Sequence, residues 1–239
     1  MFFFTKKYSL ADSGILRGFT DCHTHLLPGV DDGVRTPSTS LEILSRMERA
    51  GVKELWLTPH VMEDMPNTKA ALTARFNELK SVYQGGIRLH LAAEYMLDPF
   101  FEKCLQCGDL LLHDKNRLLV ETSCVCPPFN MDLLLEAIQK KGYTPLLAHP
   151  ERYRYMDLSD YKRYKDKQIL FQLNLPSLAG VYGPAVRQTA ENLLKEGCYD
   201  CLGTDTHSLE GWQHAIGEKR MDGKTVQRLR AICHSKGTS

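Results

Sequence analysis

Short apolar runs in this chain end, one after another, in residue types that bind cations. The endings are Asp21-Cys22-His23-Thr24-His25, Thr58-Pro59-His60, Ala93-Glu94, Val120-Glu121, Ala148-His149-Pro150, Asn174 and Gly203-Thr204-Asp205-Thr206-His207. On an extended segment, residues two apart project to one side. His23 and His25 therefore form one pair, and Asp205 and His207 another. Imidazole and carboxylate together suit zinc, manganese or iron, and the carboxylate share leans toward the harder ions. Glu94 or Glu121 is placed to bridge two ions. Ions about 3.5–4 Å apart bind a phosphoryl oxygen, acidify a bridging water and steady a leaving oxygen. The result is hydrolysis without a covalent enzyme intermediate.

A lone His-x-His on a surface strand is ordinary, as is a buried glutamate paired with arginine. Here the pairs accumulate: five of the nine histidines (His23, His25, His60, His149 and His207) fall at strand ends. His90 lies within a strand and is read as core or as support for the site. His113, His214 and His234 are read as surface.

The elements that must position these groups alternate along the chain. Strand character appears at Phe19–Thr24, Glu54–Thr58, Arg88–Ala93, Leu118–Glu121, Thr144–Ala148, Ile169–Asn174 and Tyr199–Gly203. Helical spacing links Leu41, Leu44 and Met47, and also Leu72, Phe76, Leu79 and Tyr83. Another amphipathic stretch surrounds Leu133, Leu134 and Ile138. Pro184–Glu196 begins with proline after Gly183 and stops at Gly197, the usual helix punctuation. Strands alternating with helices imply an α/β fold with a parallel sheet. No internal repeat or linker divides it, so one domain is expected. An open sheet would spread the strand ends across several widths of about 4.8 Å each. A closed barrel gathers them on one rim, where (β/α) barrels carry their active sites.

Composition narrows the function classes. Thirty Lys plus Arg against 29 Asp plus Glu leave +1, so no global field draws the chain to nucleic acid or anionic lipid. No apolar run approaches a membrane span. The start, Met1-Phe2-Phe3-Phe4-Thr5-Lys6-Lys7, reverses the order of a secretory signal. A cytoplasmic protein that is not membrane-embedded is expected. The eight cysteines include Cys104-x-x-Cys107 and Cys198-x-x-Cys201, but reduced thiols are expected rather than disulfides or a four-cysteine zinc site. No cysteine is followed six positions later by arginine, so the loop of cysteine-dependent phosphatases is missing. Tyr153, Tyr155, Tyr161 and Tyr164 are read as aromatic packing. Lys162, Arg163, Lys165 and Lys167 are read as a solvated face.

The motifs Asp21-Cys22-His23-Thr24-His25 through Asp31-Asp32-Gly33, Thr58-Pro59-His60, His149-Pro150-Glu151-Arg152 and Thr204-Asp205-Thr206-His207 resemble the PHP (polymerase and histidinol phosphatase) superfamily. Within it they are most similar to the bacterial manganese-dependent protein-tyrosine phosphatases of the CpsB/CapC type, over about Phe19 to Gly217. That resemblance implies a distorted, TIM-like seven-stranded (β/α) PHP barrel, with residues 1–18 as an N-terminal extension and 19–239 as the phosphatase domain. It also implies up to three ions, manganese first, with iron or zinc as alternatives. One ion would take His23, His25, Glu94 and Asp205. A second would take Glu94, Glu121 and His149. The third would take Asp32 (Asp31 being the alternative), His60 and His207. Arg152 would bind phosphate, and the catalytic set would be Arg152 with Asp205. The implied reaction is phosphotyrosine hydrolysis by a metal-bridging hydroxide. The implied partner is a phosphotyrosine-bearing protein, the tail of a membrane tyrosine kinase that controls capsule or exopolysaccharide synthesis.

One departure stands out. Relatives carry an arginine shortly after the last Asp-x-His, whereas residues 208–218 contain no Arg or Lys. His214, Lys219, Arg220 and Arg35 are the candidates to replace it. Three rival readings share parts of the pattern: a histidinol-phosphate or other small-molecule phosphatase, a TatD-like metal nuclease, and a phosphopeptide-binding module without turnover. Near-neutral charge and the Asp-Asp-Gly and His-Pro-Glu-Arg motifs weigh against the nuclease.

Overall fold

The computed structural model describes residues 6–234; the start Met1–Thr5 and residues 235–239 lie outside the described residues, as does the side chain of His234. The strands are β1 (Thr20–Thr24), β2 (Glu54–Leu57), β3 (His60–Val61), β4 (Arg88–Leu91), β5 (Glu94–Met96), β6 (Arg117–Glu121), β7 (Thr144–Ala148), β8 (Leu170–Asn174) and β9 (Cys201–Gly203). The helices are α1 (Leu10–Ser13), α2 (Pro37–Ala50), α3 (Lys69–Val82), α4 (Pro99–Cys107), α5 (Met131–Lys140), α6 (Leu158–Asp166), α7 (Leu175–Ala179), α8 (Pro184–Lys195), α9 (Leu209–Gly217) and α10 (Gly223–His234).

Every pairing between these strands is parallel. One sheet runs β1-β2-β4 and the other β3-β5-β6-β7-β8-β9. The two are continuous in the chain. Two residues separate β2 from β3 and β4 from β5, and across these gaps Ala92 N–H donates to Leu57 O and Glu94 N–H to Pro59 O. The ends meet where Asp205 N–H donates to His23 O at 2.8 Å and His25 N–H to Thr206 O at 3.0 Å. The sheet thus curls back on itself, and seven strand paths carry the rim.

Local sequence explains the helices. Thr36, Thr68, Asp98 and Ser208 cap α2, α3, α4 and α9 by accepting a backbone N–H three residues on. Asp157 and Asp160 form a reciprocal capping box on α6. Inside the barrel Cys22, Leu119, Leu146, Ala148 and Cys201 pack together, while a larger apolar cluster joins the sheet to its helices. Leu10, Ile15 and Leu16, which precede the first strand, are buried in that larger cluster.

Two histidines need separate mention. His113 is fully buried and not on the surface: its ring stacks on Trp56 at 3.9 Å, and its Nε2 donates to Cys22 O. Nothing in the local pattern marks it, because a tertiary ring stack holds it there. His90 covers the other face of Trp56 at 4.6 Å.

One buried side chain reinforces the backbone closure. Asp21 accepts from His23 N–H, Thr204 N–H and the Thr204 hydroxyl, linking first and last strands in a fully buried place. Asp21→Ala strands these donors without water. The expected loss is about 3 kcal/mol or more in urea unfolding, against a change under about 0.5 kcal/mol if closure does not depend on Asp21.

Candidate metal centre

The rim collects nine ligand-type side chains. A β-bulge starts the arrangement: Asp21 pairs with Leu55 but Thr24 with Leu57, three residues against two. The extra residue re-aims β1, and the Nε2 atoms of His23 and His25 come to 3.0 Å. Two glycines permit the approach. A Cβ at Gly203 would stand 2.6 Å from the Cβ of His23, and one at Gly33 would stand 2.1 Å from His25 O.

Glu94 lies at the centre, fully buried. Its Oε2 is 3.0 Å from His23 Nε2, 3.3 Å from His25 Nε2 and 3.2 Å from His60 Nδ1. Its Oε1 is 3.0 Å from His149 Nε2. Asp205 Oδ1 is 3.5 Å from His23, 3.3 Å from His25 and 3.5 Å from His207. Glu121 approaches His60 at 3.0 Å and His149 at 3.8 Å. Asp32 approaches His60 at 3.6 Å and His207 at 3.3 Å.

Three groups converge tightly enough to surround a cation: His25, Asp32, His60 and His207; His23, His25 and Glu94; His60, Glu94 and Glu121. None of them includes a cysteine. Two members of the third group have atoms left for a cation. His60 Nδ1 and Glu121 Oε1 are buried 3.0 Å apart, yet neither makes a hydrogen bond. An ion between such groups satisfies both.

The supporting contacts fix which ring nitrogen faces the centre. His23 Nδ1 donates to Gln172 Oε1 at 2.9 Å, His25 Nδ1 to Asp31 Oδ2 at 2.8 Å and His207 Nδ1 to Asp205 O at 2.9 Å. Each ring then presents Nε2 inward, as metal-ligating imidazoles do. Asp31 also accepts from the Gly33 and His60 N–H groups. It orients ligand types, while Asp32 is the aspartate of the pair that joins a cation-sized group. Sequence reasoning missed Gln172 and the orienting role of Asp31. A polar residue on an inward strand position was the available signal for Gln172.

Electrostatics follow from crowding. Burial opposes a charge on His23, but Glu94 and Asp205 outweigh it and push the imidazole up to about 9. Burial likewise opposes charge on His25, and Asp205, Asp31 and Glu94 raise it well above the ordinary range. Burial would raise Glu94, yet His23 and His60 hold it well below the carboxylate range. His149 and Asp205 adopt positive φ, 35° and 51°, outside the usual region for such side chains.

Arg152 ends a short 3-10 turn after His149. Its Nη1 donates to Asp205 Oδ2 at 2.9 Å, and its guanidinium lies 4.5 Å from the Tyr182 ring centre. Buried Glu151 pins the turn by accepting from Asn174 N–H, the Ser177 hydroxyl and the Tyr199 hydroxyl. Asn174 donates its amide to Asp205. The candidates for the missing arginine are engaged otherwise: His214 lies 3.9 Å from Glu218, Lys219 3.4 Å from Asp12, and Arg220 3.3 Å from Glu218. Arg35 is exposed in the loop that carries Asp32.

A curled parallel barrel with a buried, polynuclear candidate cation centre on its C-terminal rim is the layout of a barrel hydrolase. The chain belongs to the capsular polysaccharide synthesis family CpsB/CapC, whose family model matches residues 19–221. It is 28% identical over 197 residues to the tyrosine-protein phosphatase YwqE of Bacillus subtilis, covering 80% of this chain and 78% of that protein. It is 25% identical over 196 residues to the putative tyrosine-protein phosphatase CapC of Staphylococcus aureus, covering 79% and 77%. The fold matches a chain from the crystal structures of YwqE and of Streptococcus pneumoniae CpsB, described as metal-dependent tyrosine phosphatases. The TM-score is 0.75 at 23% identity, over 92% of this chain and 88% of that one.

Cations and protons compete for His23 and His25. Below the His23 value of about 9, each proton that must leave costs about tenfold in apparent affinity per pH unit. Manganese titration of the intact chain at several pH values should therefore show affinity rising by about tenfold or more from pH 6.5 to 7.5, with proton release into weak buffer. Flat affinity and no released proton would contradict this charge state.

Proposed function

We propose that this chain is a metal-dependent protein-tyrosine phosphatase. Its metal ligands are His23, His25, Asp32, His60, Glu94, Glu121, His149, Asp205 and His207, and Arg152 binds the phosphoryl group. The observation that carries the reading is the meeting of five imidazoles and four carboxylates, Glu94 at their centre, with Arg152 held at their edge by Asp205. Tyrosine-phosphatase names among the relatives and the family's tie to capsular polysaccharide synthesis support it.

Cations bound at this rim would draw charge from the phosphoryl oxygens and acidify an attacking water. The chain's own groups do the rest. Glu94 turns its two oxygens toward different imidazoles, so one carboxylate serves two neighbouring positions. Arg152 offers a planar fork that matches phosphoryl oxygens, and Tyr182 and Asp205 hold its plane. Burial opposes charge on this guanidinium, but Asp205 keeps it protonated. A phenolate leaving group has an ordinary pKa near about 10, so protonation during departure helps without being essential.

A ligand set of imidazole and carboxylate suits manganese, iron or zinc, and its carboxylate share leans toward the harder ions, manganese first. The three groups share His25, His60 and Glu94, so they are overlapping places for cations; occupancy by up to three ions, with His149 and Asp205 completing the set, is what we propose. The proposed substrate is a phosphotyrosine-bearing protein, the tail of a membrane tyrosine kinase in capsule assembly, met in the cytoplasm. No helix among the described residues is long and apolar enough to cross a membrane.

With manganese added, p-nitrophenyl phosphate and phosphotyrosyl peptides should turn over. His23→Ala and Asp205→Ala should lower kcat by about 100-fold or more. Arg152→Lys, which keeps charge but loses the fork, should cost about ten- to a hundredfold. Equal turnover in the wild type and both alanine variants would refute the site. Preference for histidinol phosphate, cleavage of single-stranded DNA, or tight phosphopeptide binding without phosphate release would each point to a different activity.

A further inference from the structure

Beside the rim lies an apolar groove that none of the chemistry above uses. It has a volume of about 340 Å³ between the segment after β6 and the start of α6. Phe129, Met131, Leu133, Tyr155, Met156 and Tyr164 line it. Asn130, Asp132, Asp160 and Arg163 add polar groups to the lining. Phe129 is fully exposed and Leu133 about two-thirds exposed, and exposed apolar residues that share one concavity mark a contact surface.

The groove is continuous with the candidate metal centre. The loops that build it leave β6 just after Glu121 and β7 just after Ala148, the second beginning with His149. They are tied together by Arg154 N–H donating to Cys124 O, and by the hydroxyls of Thr122 and Tyr155. A relay of rings leads outward: Tyr153 meets His149 edge-on at 5.9 Å, and Tyr155 stacks on Tyr153 at 5.7 Å. Tyr153, Tyr161 and Tyr164 are buried packing residues, as the sequence reading has them. Tyr155 is only half-buried, and it and Tyr164 both line the groove. The two ring contacts put the Tyr155 wall within about 12 Å of His149, and extended peptide advances about 3.3 Å per residue, so about three residues span the gap.

Charge selects the occupant. Arg163, the cation lining the groove, is held by both oxygens of Asp132 at 2.7 and 2.8 Å and by Asp160 at 3.2 Å. Lys167 lies 3.2 Å from Glu136 and 3.6 Å from Asp132. Among the residues that line the groove, Asp132 and Asp160 outnumber and neutralise the one cation, Arg163, which disfavours an acidic segment there. The size fits one or two side chains, whereas a stable dimer needs roughly 1,200 Å² or more of buried surface.

Resting on the phosphatase reading, we propose that this groove binds apolar side chains about three residues from the phosphotyrosine of the substrate protein. Phe129 and Leu133 form its gripping edge, and the groove sets a preference for phosphotyrosines flanked by apolar rather than acidic sequence.

The test uses the full chain with manganese and three phosphotyrosyl peptides, identical except that the positions two to four residues to either side are leucine, serine or glutamate. The wild type should show a KM for the leucine peptide about fivefold or more below that for the serine peptide, with the glutamate peptide weakest and similar kcat for all. Phe129→Ser and Leu133→Ser should bring the leucine-to-serine KM ratio close to one, while Phe129→Leu keeps it. Thermal unfolding of each variant checks that the fold is intact. Equal KM values for the three wild-type peptides would overturn the proposal, as would a preference that survives both serine variants. Sedimentation supplies another outcome: a dimer broken by Phe129→Ser, with peptide KM ratios unmoved, would assign the face to a second copy. Absence of p-nitrophenyl phosphate turnover by the wild type would instead sink the phosphatase reading beneath it.

Discussion

Four carboxylates and five imidazoles occupy one rim where Glu94, His23 and His25 have no contact with water. Burying so many ionisable groups costs free energy unless each finds an opposite charge or a hydrogen bond. Protons on His23 and His25 meet part of that demand. They leave His60 Nδ1 and Glu121 Oε1 facing each other without a bond. Divalent cations meet the demand more fully, because each supplies two charges and accepts several donors. The fold is arranged around this requirement. Every strand path brings a polar residue to the same end, and Asp21 reinforces the closed ring that keeps them together.

The same requirement explains where the backbone is strained. His149 and Asp205 take positive φ at the points where strands turn into the rim loops. Such residues cost of order 1–3 kcal/mol each and persist only where surrounding structure enforces them. Here the enforcement is visible: Glu151 anchors the turn after His149, and Asp205 is held through Arg152, Asn174 and the backbone of β1.

Much of this could be read from residue order. His23, His25, His60, His149 and His207 were marked by their positions at the ends of apolar runs, and all five meet in space. Strand bounds were legible to within about two residues because alternation and burial dominate strand choice. The bulge in β1 was not, since register depends on pairing with β2 rather than on local preference. Gln172 and His113 were missed for a related reason: each is placed by a partner far away in sequence, His23 and Trp56 respectively. The apolar groove was hidden because its walls come from two loops whose proximity only the closed sheet creates.

The central claim is that cations, and not protons alone, balance this rim in the working protein. Elemental analysis of the chain purified without chelator tests it directly. About three equivalents of manganese or iron per chain are predicted, the number proposed for the nine ligand-type side chains of the rim. A single equivalent of zinc, or none, in protein whose fold is intact would contradict the account.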